Sequence, residues 1–155
     1  MAILKLIPTG SKTKQNIIVD NSIEIQPLDW GMLRELDWKT GKASAGLKKL
    51  EGKRVRIPGY MVPFEDDKRE VTEFLLVPSP QACIHVPPPP PNQMIYAKML
   101  KPTEFQWGYR AIWLEGVLKL TENKSAYGRA SFEMLGLGVR PFVPSDVMQK
   151  SVNGY

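Results

Sequence analysis

From residue 53 onward the chain repeats one pattern, apolar and polar residues alternating with a period of two, which is the signature of strands with one face on a core. Lys53-Arg-Val-Arg-Ile-Pro-Gly-Tyr-Met-Val62 puts Val55, Ile57, Gly59 and Met61 on one face and Arg54, Arg56 and Tyr60 on the other. Pro58 and Gly59 within it point to an edge position or a bulge. A charged hairpin loop over 63–70 leads to a second strand over 71–77, more apolar and therefore more buried. Residues 93–99 read as a third strand and 101–109 as a loop holding Phe105 and Trp107. A long fourth strand over 111–120 turns Ile112, Leu114, Gly116, Leu118 and Leu120 inward. Asn123-Lys-Ser125 is a turn, and 127–137 is a fifth strand ending at Gly136 and Gly138.

Ahead of this region the pattern is shorter and mixed. Residues 1–21 read as a loose arm and 22–26 as a short alternating strand. Met32, Leu33 and Leu36 have helical spacing, with Asp29 as the cap, and Trp30 and Trp38 are expected to pack this segment onto the main body, with ligand stacking as the lesser reading. A second helix over 42–51 carries Ala45, Leu47 and Leu50, with Ser44 as cap and Gly52 as stop. Beyond Pro141 there is little periodicity.

These elements predict a mainly β single domain spanning residues 1–155: an arm (1–21), a core (22–140) and an irregular tail (141–155). Five strands with a glycine near the middle of the first and fourth suit a small, closed, OB-fold-like barrel, because glycine lets a coiled strand turn a corner. A six-stranded sandwich is the competing architecture.

Composition narrows the functional classes. A hydrophobic share of 43% and a charged share of 24% are those of an ordinary globular domain. The single cysteine excludes an internal disulfide and a multi-cysteine zinc site. No stretch approaches the roughly 20 apolar residues of a membrane-spanning helix. Residues 2–7 are too short for the core of a signal peptide, so the expectation is a cytoplasmic chain or one lacking its leader. The net charge of +5 is uneven, with seven basic residues and one acid between Lys39 and Arg56. Such a run either attracts nucleic acid, an anionic membrane or an acidic partner, or is a solvated face.

Candidate chemistry gathers in Pro78-Ser-Pro-Gln-Ala-Cys-Ile-His-Val-Pro-Pro-Pro-Pro-Pro-Asn-Gln-Met94, which holds the only cysteine (Cys83), the only histidine (His85) and five consecutive prolines. In an extended segment residues two apart share a face at roughly 6.5 to 7 Å, so Cys83 and His85 are placed to bind one metal ion. A zinc site takes at least three protein ligands, and Glu65, Asp66, Asp67 and Glu73 in or beside the preceding hairpin offer carboxylates. The other readings are a buried small apolar cysteine with a structural histidine, or a reactive thiol. A Cys-His nucleophilic pair is disfavoured, since no third partner orients the base and no oxyanion-type turn adjoins it, and the chain is read as a non-enzyme. Pro87 to Pro91 predict a polyproline II rod about 15 Å long, either a stiff crossover between the second and third strands or a docking element for a protein partner.

Gly52-Lys-Arg-Val-Arg-Ile-Pro-Gly-Tyr-Met-Val-Pro63, Glu73-Phe-Leu-Leu-Val-Pro78 and Ala82-Cys-Ile-His-Val-Pro-Pro-Pro-Pro-Pro-Asn-Gln-Met94, in that order, resemble the bacterial domain-of-unknown-function family 3299 over about residues 28 to 135. Members of that family are mostly exported, as periplasmic proteins or lipoproteins, and accompany metal-responsive transport systems. The resemblance therefore implies a periplasmic binding or accessory role in zinc handling. It departs from the family in showing no leader and in placing Ser79-Pro-Gln81 where aromatic and glycine residues are usual. The combined expectation is a metal ion or small ligand held by Cys83 and His85, with Asn92, Gln93, Tyr60 and Glu65 as further contacts. The alternative is a nucleic-acid or protein-partner module using Lys48, Lys49, Lys53, Arg54 and Arg56 with Tyr60. Against nucleic acid, aromatic residues do not interleave densely with these cations.

Overall fold

The computed structural model describes residues 24–65, 67–80, 87–106, 110–125, 128–143 and 145. The expected N-terminal arm and most of the expected tail lie outside them. The described chain is mainly β with two short helices: β1 (Gln26–Pro27), α1 (Trp30–Leu33), β2 (Leu36–Asp37), β3 (Lys42–Ala43), α2 (Ala45–Leu50), β4 (Arg54–Pro63), β5 (Glu70–Val77), β6 (Ile95–Glu104), β7 (Ile112–Ser125) and β8 (Gly128–Pro141).

Five of the strands form a ring in the order β4, β5, β6, β8, β7 and back to β4. The β6–β8 pair is parallel and the other four are antiparallel. Because the first and last strands of this order pair with each other, the architecture is not two opposed sheets. β4 makes closure possible by changing partner along its length. Arg54 to Gly59 pair with β7, and Tyr60 to Pro63 pair with β5.

Pro58 shows how the sequence permits this. It was expected at an edge or a bulge, yet it lies opposite Trp113 inside the β4–β7 ladder. The Arg56 carbonyl accepts from the Leu28 amide at 3.0 Å, so it points toward β1. Two residues on, the Pro58 carbonyl points the same way and accepts from Trp30 Nε1 at 2.7 Å. The missing N–H of Pro58 therefore falls on the side where β1 has ended and β5 has not begun, and no ladder bond is lost.

The alternating face of β4 is the one expected, with Val55, Ile57 and Met61 buried. They join Phe74, Leu76, Ile95, Ile112, Leu114, Leu118 and Phe132 in one core, to which the N-terminal segment adds Leu28, Leu33, Leu36 and Leu47. Both helix caps are as read: Asp29 Oδ1 accepts from the Met32 amide at 2.8 Å and Ser44 Oγ from the Leu47 amide at 3.1 Å. The small β2–β3 hairpin, pairing Leu36 with Ala43 and Asp37 with Lys42, was not anticipated, because two-residue strands carry no periodicity.

Later strands run longer than expected. β6 continues through the supposed loop to Glu104, and β7 continues through the supposed turn to Ser125. The reason is tertiary: Asn123, Lys124 and Ser125 face Ala130, Arg129 and Gly128 of β8, and an available partner overrides weak local preference.

The glycine expected to turn the fourth strand does so by allowing contact. Register slips at Glu115/Gly116, leaving Leu137 as an extra residue on β8. A Cβ at Gly116 would run into the Leu135 carbonyl and come within 3.1 Å of Gly136 Cα. Backbone atoms cannot swing away as a side chain can. Gly116→Ala is accordingly expected to destabilise the protein by about 2–4 kcal/mol in urea unfolding. Gly138→Ala, where a Cβ would meet nothing within 4 Å, should change stability by less than about 0.5 kcal/mol. Equal effects at the two positions would contradict the packing described.

Candidate functional site

The stretch read as a crossover is not one. β5 and β6 are antiparallel neighbours, with Leu76 opposite Ile95, so residues 78–94 are a long excursion whose two ends meet. Val77 at one end and Met94 at the other are buried in a second apolar cluster with Leu75 and Ala130, against which Tyr60, Val62, Phe64 and Tyr96 pack. Tyr60, one of the expected ligand contacts, lies directly opposite Val77 and so stands at the base of this loop. Cys83 and His85 lie outside the described residues.

The returning limb of the loop is tightly anchored. Pro90 has φ −61° and ψ 154°, within the polyproline II region, but Pro91 opens a single 3-10 turn, Pro91–Gln93, so the rod is shorter than the expected five residues. Asn92 Nδ2 donates to the Leu36 carbonyl at 3.0 Å, and Gln93 Nε2 donates to the Trp30 carbonyl at 3.1 Å and to the Asn92 carbonyl at 2.8 Å. Arg34 Nε reaches Gln93 Oε1 at a long 3.4 Å. Gln93 is buried, and its amide thereby satisfies carbonyls of α1 and of the turn itself. The structure thus gives Asn92 and Gln93 an anchoring task, tying the loop to the N-terminal segment.

The carboxylates are distributed differently. Glu65 sits in the β4–β5 connection, at the opposite end of β5 from the loop, and pairs with Lys68 at the surface. It lines a groove of about 270 Å³ together with Glu70 and Glu73. Among the described residues there is no group of three or more His, Cys, Asp or Glu side chains able to hold a metal ion.

Glu73 has a different partner. Its Oε2 accepts from the Tyr96 hydroxyl at 2.7 Å across the β5–β6 pair. Lys98, on the same face of β6, stands 5.4 Å from the Tyr96 ring centroid and 3.5 Å from Glu133. Partial burial of the phenol, then its hydrogen bond to Glu73 and the two nearby carboxylates, push the Tyr96 pKa up from 10.0 to about 12.

Three cations of the basic run lie against other side chains. Arg54 forks onto Glu115, Arg56 lies 4.7 Å over the Trp113 ring, and Lys39 lies 5.4 Å from the Trp38 ring. Trp30 packs against the core as expected, whereas Trp38 is 44% exposed. The hairpin that carries Trp38 was not foreseen, although its turn signal was there in Asp37 and Gly41.

Fold and site together define a small ring of β-strands carrying one long, anchored, proline-rich loop. The model of the family described as "Protein of unknown function (DUF3299)" matches residues 5–141, and the chain belongs to this family. It is similar to the crystal structure of a DUF3299 family protein from Pseudomonas aeruginosa PAO1, at 31% identity and a TM-score of 0.63, over 77% of this chain and 97% of that one. Nothing among curated proteins matches it. No helix among the described residues is long and apolar enough to cross a membrane.

The Tyr96–Glu73 bond makes a pH prediction. Because the folded value is the higher one, the stability linked to keeping the phenol protonated, through its burial and then its bond to Glu73, is complete below pH 10 and lost as pH rises from 10.0 to about 12. Glu73→Gln should return the Tyr96 pKa toward 10.0 in NMR titration of isotope-labelled tyrosine and flatten the alkaline stability curve. An unchanged titration would show that Glu73 does not govern this phenol.

Proposed function

We propose that the five-strand ring is an OB-like barrel serving as a binding or accessory module rather than as an enzyme, and that the 78–94 loop presents its ligand-binding residues. Cys83 and His85 take a transition-metal ion such as zinc, and the other coordination positions go to water or to side chains outside the described residues. The strand order, with one parallel pair closing an otherwise antiparallel ring, supports the OB-like reading. The observation that carries the site is the anchoring of the loop: its ends meet at Val77 and Met94, and the amides of Asn92 and Gln93 fix the returning limb. A fixed returning limb supports this reading, because binding residues carried next to a rigid support lose less entropy when a ligand orders them. Tyr60 borders the base of the loop, while Glu65 lies at the far end of β5 from it.

Export to the periplasm, which the family resemblance implies, belongs to the same proposal. Pro87, Pro88 and Pro90 are exposed and offer a short apolar ridge to the donor or acceptor protein with which the ion is exchanged.

Metal analysis of protein purified without chelator tests the reading, alongside Cys83→Ser and His85→Ala. The expected result is roughly one zinc equivalent in the wild type and loss in both variants. Equally negligible zinc in all three, with no binding at micromolar metal, would refute it.

A further inference from the structure

A cleft of about 350 Å³ opens between the β2–β3 hairpin, Pro91, and the adjoining parts of β7 and β8. We propose that it binds a small organic anion carrying a planar apolar group. The volume lies within the roughly 300–1,000 Å³ of small-ligand sites. Among its described lining residues, Lys39 and Arg129 contribute cations and Thr40, Thr121 and Ser131 contribute hydroxyls. Trp38 supplies the apolar surface. The residue is 44% exposed and the Lys39 ammonium stands 5.4 Å from the ring centroid. An anion drawn to Lys39 therefore arrives beside the indole, where an attached planar group stacks.

The walls are built before any ligand arrives. Asp37 Oδ1 accepts from the amides of Lys39 at 2.9 Å and Thr40 at 3.3 Å, and its carbonyl accepts from the Gly41 amide at 2.7 Å. These backbone bonds hold the Asp37 carboxyl below its ordinary range. Gly41, at φ 75°, supplies the left-handed residue that closes the turn. The bond from Asn92 to the Leu36 carbonyl fixes the hairpin against the turn that carries Pro91. Such rigidity lowers the ordering cost of binding. The cleft uses neither Cys83 nor His85 and stands apart from the metal proposal.

Naphthalene-2-carboxylate, its uncharged carboxamide and inorganic phosphate, each titrated into the full chain and followed by amide NMR, separate charge from shape. The expected result is that the carboxylate perturbs the Thr40, Gly41 and Ser131 amides and binds roughly tenfold or more tightly than either other probe. Lys39→Gln combined with Arg129→Gln, and separately Trp38→Ala, should each weaken it by a similar factor, while Cys83→Ser leaves it unchanged. These exposed positions lie outside the core, and retained amide dispersion verifies folding. Equal binding of the carboxamide, phosphate binding as tightly as the carboxylate, or shifts confined to other parts of the ring would overturn the proposal.

Discussion

At Gly59 and Tyr60, β4 leaves β7 and takes up β5, and the other elements are positioned by that exchange. With both halves of one strand paired, β4 to β8 close on themselves and surround a common core instead of ending in an open edge. Pro58 fits at the exchange because its lack of an N–H is harmless there, where β1 has ended and β5 has not begun. Trp30 then covers the same spot by donating to the Pro58 carbonyl, so the N-terminal helix is fastened to the point of exchange.

That fastening reaches the loop. α1 offers the Trp30 carbonyl and β2 the Leu36 carbonyl, and the amides of Gln93 and Asn92 take them. The N-terminal segment is therefore the bracket that orients the returning limb of residues 78–94, and the same bracket forms one wall of the Trp38 cleft. Its burial of Leu33, Leu36 and Leu47 in the common core gives it the stability to hold both.

Much of this was legible in the sequence, because strands and caps leave local marks. The alternation from Val55 to Met61, the inward residues of β7, and the Asp29 and Ser44 caps depend on near neighbours and were readable. What depended on distant partners was not. The continuation of β7 through Asn123 to Ser125 needs β8 beside it, and the β2–β3 hairpin is too short to show a period. Residues 78–94 stood out in composition, but that their two ends meet between adjacent antiparallel strands was not read. Nothing local tells a crossover from a loop between adjacent antiparallel strands, and the anchoring by Asn92 and Gln93 requires carbonyls more than fifty residues away.

Zinc titration of uniformly nitrogen-15-labelled protein, followed by amide NMR, tests most directly the proposal that the 78–94 loop is the working part of this DUF3299 protein. The account predicts saturable shifts at residues 82–86 that extend to the side-chain amides of Asn92 and Gln93 and leave the ring strands unmoved. A folded spectrum in which zinc perturbs none of these signals would contradict it.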